Sequence, residues 1–224
     1  MTQIPNILAI ETSSDACSVA LSKGENSYSI HKVIPQKHTE KLFIILEEVL
    51  EKLSISYKDI DAIAFGCGPG SFTGTRLACS VAQGLSYSLN IPAISISSLE
   101  ILALGVKNEL EIDEVNVLVN AHMNQIYFGN FCFELDNLKS CSEKVITVDE
   151  FKSLQFAQND IFVGDGCDLV AKELKGINAL ILNKYPDAKD LLLEARNYYK
   201  EGKFTSPEDL APKYLSGKEH WSKT

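Results

Sequence analysis

Short apolar runs alternate with longer stretches of helical character along this chain. The apolar residues 7–10 and 16–23 flank the polar residues 11–15, a pattern typical of a β-hairpin. Residues 38–53 contain neither glycine nor proline and predict a helix. Further strands are predicted at 28–33, 62–65 and 92–96, and further helices at 71–88 and 98–105. This alternation of strands and helices predicts an α/β fold.

The pattern of the first hairpin recurs in the second half of the chain. Residues 115–120 and 126–134 form two apolar segments around a polar turn, about 110 residues after the first hairpin. The recurrence predicts two similar α/β lobes, which we assign to residues 1–110 and 111–224. In the second lobe we also predict a strand at 161–164, helices near 168–174 and 187–200, and a polar tail after Ser206.

Composition excludes several classes of protein. The chain has 224 residues, of which 45% are hydrophobic and 23% charged, a balance typical of a globular protein. Its net charge of -9 offers no basic surface for a nucleic-acid backbone. The six cysteines contain no C-x-x-C pair, and no apolar run approaches the ~20 residues of a membrane-spanning helix. We therefore expect a cytoplasmic protein with reduced thiols and no membrane contact.

The polar turn of the first hairpin is one candidate site. It contains Glu11, Thr12 and Ser13, followed by Ser14 and Asp15. A carboxylate beside hydroxyl side chains and backbone N–H groups in such a turn can hold a magnesium-bound phosphate. The alternative is an ordinary polar turn, since serine, threonine and aspartate favour turns in any case.

A glycine-rich segment, GCGPGSFTG at residues 66–74, leads into the predicted helix 71–88. It matches neither the dinucleotide-binding fingerprint nor the P-loop, and it contains no lysine. A helix N-terminus beside such a loop can bind an anion. Glycines also allow a helix to pack tightly on its strand, and we favour this structural interpretation.

The two long helices of the first lobe carry more apolar surface than one core-facing stripe requires. Residues 42–46 are five apolar residues in succession, and residues 71–88 carry a stripe of small side chains. We expect a helix pair of a partner to cover the surplus, although both helices could instead be buried within one chain. The predicted contact residues are Leu42, Phe43, Ile45, Leu46, Val49, Thr75, Cys79, Ala82 and Ser86.

Metal sites and nucleophilic catalysis have no support in the motifs. The four histidines form no H-x-x-x-H or H-E-x-x-H pattern, and the cysteine spacings suit no zinc site. No G-x-S-x-G segment marks a nucleophilic serine. We predict neither a catalytic residue nor a metal ligand in this chain.

Four segments together resemble the TsaB family, also called YeaZ. They are ILAIETSSDACSVAL (7–21), HTEKL (38–42), AFGCGPGSFTGTR (64–76) and AQGLS (82–86). The resemblance implies the actin-like fold of actin and sugar kinases, with two similar α/β lobes. In active members of that fold each lobe opens with a hairpin that binds nucleotide phosphates. On this basis the candidates for nucleotide contact are Glu11, Thr12, Ser13, Gly164 and Gly166.

The resemblance also implies a function and partners. The family forms the non-catalytic subunit of the bacterial machinery that installs threonylcarbamoyl on adenosine 37 of tRNAs reading ANN codons. It implies a TsaD-type catalytic subunit that pairs with helices 38–53 and 71–88, a TsaE-type ATPase, and a homodimer when the protein is alone. ATP and metal are expected on the partner subunits, and tRNA is contacted indirectly.

Two departures from the family pattern bear on nucleotide binding. Near the C-terminus the family usually reads Y-L-R, where this chain has Tyr214-Leu215-Ser216. The family usually reads D-A-R-M at the second hairpin, where this chain has Asn120-Ala121-His122-Met123. Asn120 lacks the negative charge that a magnesium-nucleotide site favours. The alternative function is a nucleotide-dependent enzyme, or a peptidase of the actin-like glycoprotease family, acting on its partner.

Overall fold

The structure, a computed structural model, describes residues 4–134 and 137–215. The chain forms two compact units. The first contains the chain up to Ile101 together with Pro186–Lys213, and the second contains Leu102–Tyr185. This corrects the predicted division at 110/111, because residues 186–213 return to the first unit. The last part of the predicted tail, residues 216–224, lies outside the described residues.

The first unit is built on a five-stranded sheet in the order β3-β2-β1-β4-β5. β1 pairs antiparallel with β2 and parallel with β4. The strands are β1 Ile7–Glu11, β2 Ala16–Lys23, β3 Asn26–Val33, β4 Ala62–Gly66 and β5 Ala93–Ile96. The helices are α1 His38–Leu53, α2 Phe72–Leu89 and α3 Ser98–Leu110, of which α3 continues into the second unit from Leu102 onward.

Helices cover both faces of this sheet. Leu8 and Ile10 of β1 pack in one apolar cluster with side chains of α1 and α2. Ile7 and Ala9 point to the other face and pack in a cluster with α6, Ala188–Glu201. Because successive side chains of a strand alternate between faces, a central strand buried on both faces reads as a continuous apolar run. The need to cover the second face explains why α6 belongs to the first unit.

The second unit repeats the plan of the first. Its sheet has the order β10-β9-β6-β7-β8. When its strands are numbered from β6 as the first and read from the other edge, this order is 3-2-1-4-5, the same as that of the first sheet. This repetition confirms the two similar α/β lobes and the actin-like fold. The elements are β6 Glu114–His122, β7 Gln125–Glu134, β8 Asn137–Thr147, α4 Val148–Lys152, β9 Ile161–Val163, a 3-10 helix Asp165–Val170, α5 Ala171–Gly176 and β10 Leu180–Leu182.

Most predicted elements of the first unit lie within two residues of their observed bounds. The predicted helix 38–53 coincides with α1, whereas α3 is five residues longer than predicted. β8 and α4 were not predicted. β8 pairs with β7 along its length, but six of its eleven residues are exposed. It therefore lacks the apolar alternation by which a strand is recognised in sequence.

Leu191 and Leu193 of α6 provide a test of the assignment of this helix to the first unit. Leu191 is buried against the first sheet, whereas Leu193 is half exposed. We expect Leu191→Ala to lower the free energy of unfolding by ~2–5 kcal/mol, because it leaves a cavity. Leu193→Ala changes it by less than ~0.5 kcal/mol. Urea denaturation measures both, and equal effects would contradict the assignment.

Candidate functional site

The polar turn after β1 and the glycine-rich loop after β4 form one structural joint in the first unit. β1 and β4 are parallel neighbours, with Ile10 opposite Phe65, so their carboxyl ends meet at the same edge of the sheet. The Ser71 N–H donates to the carbonyl of Ser13 at 2.6 Å. The Thr12 hydroxyl donates to the carbonyl of Gly74 at 2.7 Å. The loop is therefore hydrogen-bonded to the turn at two points.

Three glycines of residues 66–74 make this joint possible. A Cβ on Gly74 would overlap the carbonyl oxygen of Thr12, and one on Gly70 would overlap the carbonyl oxygen of Ser13. A Cβ on Gly66 would overlap the carboxylate of Glu11. A larger residue at Gly70 or Gly74 would push the loop off the turn, whereas one at Gly66 would displace the Glu11 side chain. This close approach supports the structural interpretation of the glycines.

The Glu11 carboxylate is fully buried at the centre of the joint. One oxygen accepts the N–H of Ser13 at 2.5 Å, and the other accepts the hydroxyl of Ser98 at 2.9 Å. Burial raises the pKa of the Glu11 carboxyl above its ordinary value, although these hydrogen bonds act in the opposite direction. Thr12 and Ser13 are buried as well. All three predicted phosphate-site candidates thus engage the protein's own groups, which favours the structural interpretation of the turn.

The second unit has a comparable contact. A Cβ on Gly164 would overlap the carbonyl oxygen of Leu118 in β6, and one on Gly166 would lie 2.7 Å from the Leu118 carbonyl carbon. Between them, the Asp165 carboxylate accepts the N–H of Asn120 at 3.0 Å. The predicted candidates Gly164 and Gly166 therefore pack against the backbone of β6.

The structure corrects the predicted contact residues on α1 and α2. Eight of the nine lie in the core of the first unit, because α1 and α2 use these side chains to cover the sheet. Small side chains on α2 allow that helix to pack closely on the chain's own sheet. The eight buried residues are Leu42, Ile45, Leu46, Val49, Thr75, Cys79, Ala82 and Ser86. A partner-binding role for these helices stays a prediction, but these side chains cannot carry it.

Other side chains of the two helices face solvent. Phe43 and Ile44 on α1 are 54% and 58% exposed, and Phe72 at the start of α2 is 63% exposed. The Arg76 guanidinium lies 3.3 Å from the centroid of the Phe72 ring. We call Phe43, Ile44, Phe72 and Arg76 the helix surface. The run 42–46 could have indicated it, because a helix cannot bury five successive side chains on one face.

The described part of the chain contains neither a cluster of potential metal ligands nor a helix suited to crossing a membrane. In residues 4–134 and 137–215, no three histidine, cysteine, aspartate or glutamate side chains converge as potential metal ligands. None of the helices described there combines the length and the apolar character that crossing a membrane requires.

Comparison with known proteins identifies the family. A family model described as "TsaD: tRNA N6-adenosine threonylcarbamoyltransferase" matches residues 30–188. The "tRNA threonylcarbamoyladenosine biosynthesis protein TsaB" of Buchnera aphidicola subsp. Schizaphis graminum is 38% identical, covering 83% of this chain and 90% of that protein. The chain belongs to the TsaB family. The Escherichia coli K12 protein of the same name is 30% identical and covers 97% of both chains.

A solved structure of the family has the same fold. The structure of "YeaZ from Pseudomonas aeruginosa" superposes with a TM-score of 0.85 at 30% identity, over 94% of this chain and 100% of that chain. The likeness therefore extends over both units and is not limited to the motifs around residues 64–76.

Gly74→Ala tests the joint, with Gly84→Ala in the same helix as its control. We expect Gly74→Ala to lower the free energy of unfolding by ~1–3 kcal/mol, because its Cβ displaces the loop from Thr12. Gly84 has open space around it, so Gly84→Ala should stabilise the protein by up to ~1 kcal/mol through helix propensity. Urea denaturation distinguishes the two, and a stabilising Gly74→Ala would refute the close contact.

Glu11→Gln tests the buried carboxyl through the pH dependence of stability. A raised pKa means that the folded state binds a proton more tightly than the unfolded chain does, and this difference stabilises the folded state. The stabilisation is complete below the ordinary pKa of 4.5. It is lost as the pH rises through the pKa of the folded state. The amide has no such dependence. We expect the Tm of Glu11→Gln, relative to the native protein, to increase from pH 4.5 to pH 8.

The control for this measurement is Glu25→Gln, which changes an exposed glutamate of the same unit. Its Tm should follow the native protein across the same pH range. Parallel curves for the native protein and Glu11→Gln would show that the carboxyl does not carry a raised pKa.

Proposed function

We propose that this chain is a non-catalytic subunit in the biosynthesis of threonylcarbamoyladenosine in tRNA. Its role is to bind a TsaD-type catalytic subunit and stabilise the active arrangement of that subunit. Membership of the TsaB family supports the pathway, since relatives over most of the chain carry that name. A TsaE-type ATPase is the further partner in this proposal.

The observation that carries the binding role is the helix surface. Phe43, Ile44 and Phe72 are large apolar side chains, each more than half exposed, on helices that cover one face of the first sheet. Burying such a side chain contributes ~1.5–3 kcal/mol. Aromatic residues and arginine are the side chains most enriched at energetically important interface positions, and Phe72 with Arg76 supplies both. In this proposal the same surface forms the homodimer when the catalytic subunit is absent.

The internal hydrogen bonds of the turn in the first hairpin support a role in which this chain catalyses no reaction itself. Glu11, Thr12 and Ser13 are engaged in internal hydrogen bonds and are buried. The proposal therefore assigns ATP and metal to the partner subunits. The net charge of -9 agrees with an indirect relation to tRNA, because the phosphate backbone attracts basic surfaces.

The mechanism that follows is a shift in conformational population. A subunit that binds the active arrangement of the catalytic subunit more tightly than other arrangements increases the fraction of that arrangement. The effect is limited by the difference between the two affinities. Rigid helices held on the sheet by buried residues such as Leu46 suit this role.

Size-exclusion chromatography with light scattering, on this chain mixed with the catalytic subunit of its own organism, tests the proposal. A heterodimer that replaces the homodimer is the expected result, followed by tRNA modification in a reconstituted system only when both chains are present. Two separate peaks from folded proteins would refute the pairing. Modification at full rate without this chain would refute the activating role.

The double variant Phe43→Asp, Ile44→Asp locates the interface. We expect it to fold normally and to bind the catalytic subunit more than about tenfold more weakly, because two charges replace apolar contacts. The matched control is Leu193→Asp, which places a charge at a half-exposed leucine of α6 on the opposite face of the sheet. Calorimetric titration measures both affinities, and equal losses would show that binding does not use the helix surface.

A further inference from the structure

A groove lies at the C-terminal end of α2, far from Phe72, and residues 204–208 line its other side. It encloses about 750 Å³, within the ~300–1,000 Å³ typical of binding pockets. The residues that line it include Tyr87, Phe204, Pro92, Pro207 and Glu208. The helix surface described above shares none of these residues.

The two aromatic rings are accessible to a ligand. Tyr87 is 70% exposed and Phe204 is 45% exposed. The ring of Tyr199 packs edge-on against Phe204, with 5.3 Å between centroids, and so holds that ring in place. Aromatic faces attract arginine and lysine side chains and other organic cations.

The electrostatics of the groove also favour a cation. The last turn of α2 contains no basic residue, so no cation of its own compensates the negative end of the helix dipole. Glu208, an exposed acidic residue, also lines the groove. The ammonium of the nearby Lys203 is engaged by Glu201 at 2.6 Å and lies over the Tyr198 ring.

Two hydrogen bonds hold the walls of the groove in place. The Thr205 N–H donates to the carbonyl of Ala93 at 2.8 Å, which joins the segment to β5. The Gln83 side-chain amide donates to the carbonyl of Pro207 at 2.7 Å, which joins it to α2. A groove with fixed walls loses little conformational entropy when it binds a ligand.

We propose that this groove binds an extended, positively charged segment of a partner protein. An arginine or lysine of the segment lies against Tyr87 and Phe204 and pairs with Glu208. The groove is larger than one side chain, and aromatic-lined grooves are one of the recurring ways in which proteins bind extended peptides, so neighbouring residues of the segment contact Pro92 and Pro207. This inference goes beyond the proposed function and does not depend on it.

The test uses the full chain and a defined probe, the peptide acetyl-Gly-Arg-Gly-Arg-Gly-amide, at about 0.15 M salt. Nitrogen-15 NMR titration should show saturable shifts concentrated at residues 86–91 and 204–208. The same peptide with citrulline in place of arginine keeps the shape of the side chain but loses its charge. Its affinity should be lower by a factor of at least about five.

Variants assign the binding to the groove. Glu208→Gln and Tyr87→Ala, both at exposed positions, should each weaken binding by about two- to fivefold. Glu25→Gln makes the same change in net charge at another exposed site of the first unit and should leave the affinity unchanged. Equal losses of affinity for Glu25→Gln and Glu208→Gln, or NMR shifts spread over the acidic surface, would show that the peptide does not bind in the groove. Equal binding of the citrulline peptide would overturn recognition of a cation.

Discussion

The first unit depends on the contact between glycine α-carbons and the backbone carbonyls of the turn after β1. Gly70 and Gly74 approach the carbonyl groups of Ser13 and Thr12 so closely that a side chain on either glycine would separate them. This contact places the start of α2 at the carboxyl end of β1. The Glu11 carboxylate then connects the turn to Ser98, and so to the start of α3. One short-range steric constraint thus positions two helices against the sheet.

The same principle operates in both units with different residues. In the second unit Gly164 and Gly166 contact the backbone of β6, as Gly66 contacts the end of β1. Both contacts join the segment after the fourth strand of a sheet to its first strand. Because the two sheets have the same strand order, the shared feature is the close approach between neighbouring parallel strands and not a shared sequence motif. In the first unit this packing uses the polar groups that a phosphate-binding turn would need.

The division of apolar residues in α1 shows how one helix serves both the core and the surface. Leu42, Ile45 and Leu46 are buried, whereas Phe43 and Ile44 between them are exposed. The successive residues of the run point in directions about 100° apart, so the sheet covers only part of it. The helix does carry the surplus apolar surface that the pattern predicts, but this surface belongs to the side chains between the buried ones.

The sequence alone determined the class of fold, the bounds of α1, the recurrence of the hairpin and the family, because these depend on local periodicity and on short motifs such as residues 66–74. It could not determine which side chains of α1 and α2 are buried, nor that α6 returns to the first sheet. Those features depend on which face of each element meets another, and contacts such as Glu11 with Ser98 join residues far apart in the chain. β8 escaped prediction for the same reason, since its pairing with β7 stabilises a strand whose own side chains are mostly exposed. Only the tertiary structure decides such contacts, because packing between distant segments overrides the local pattern.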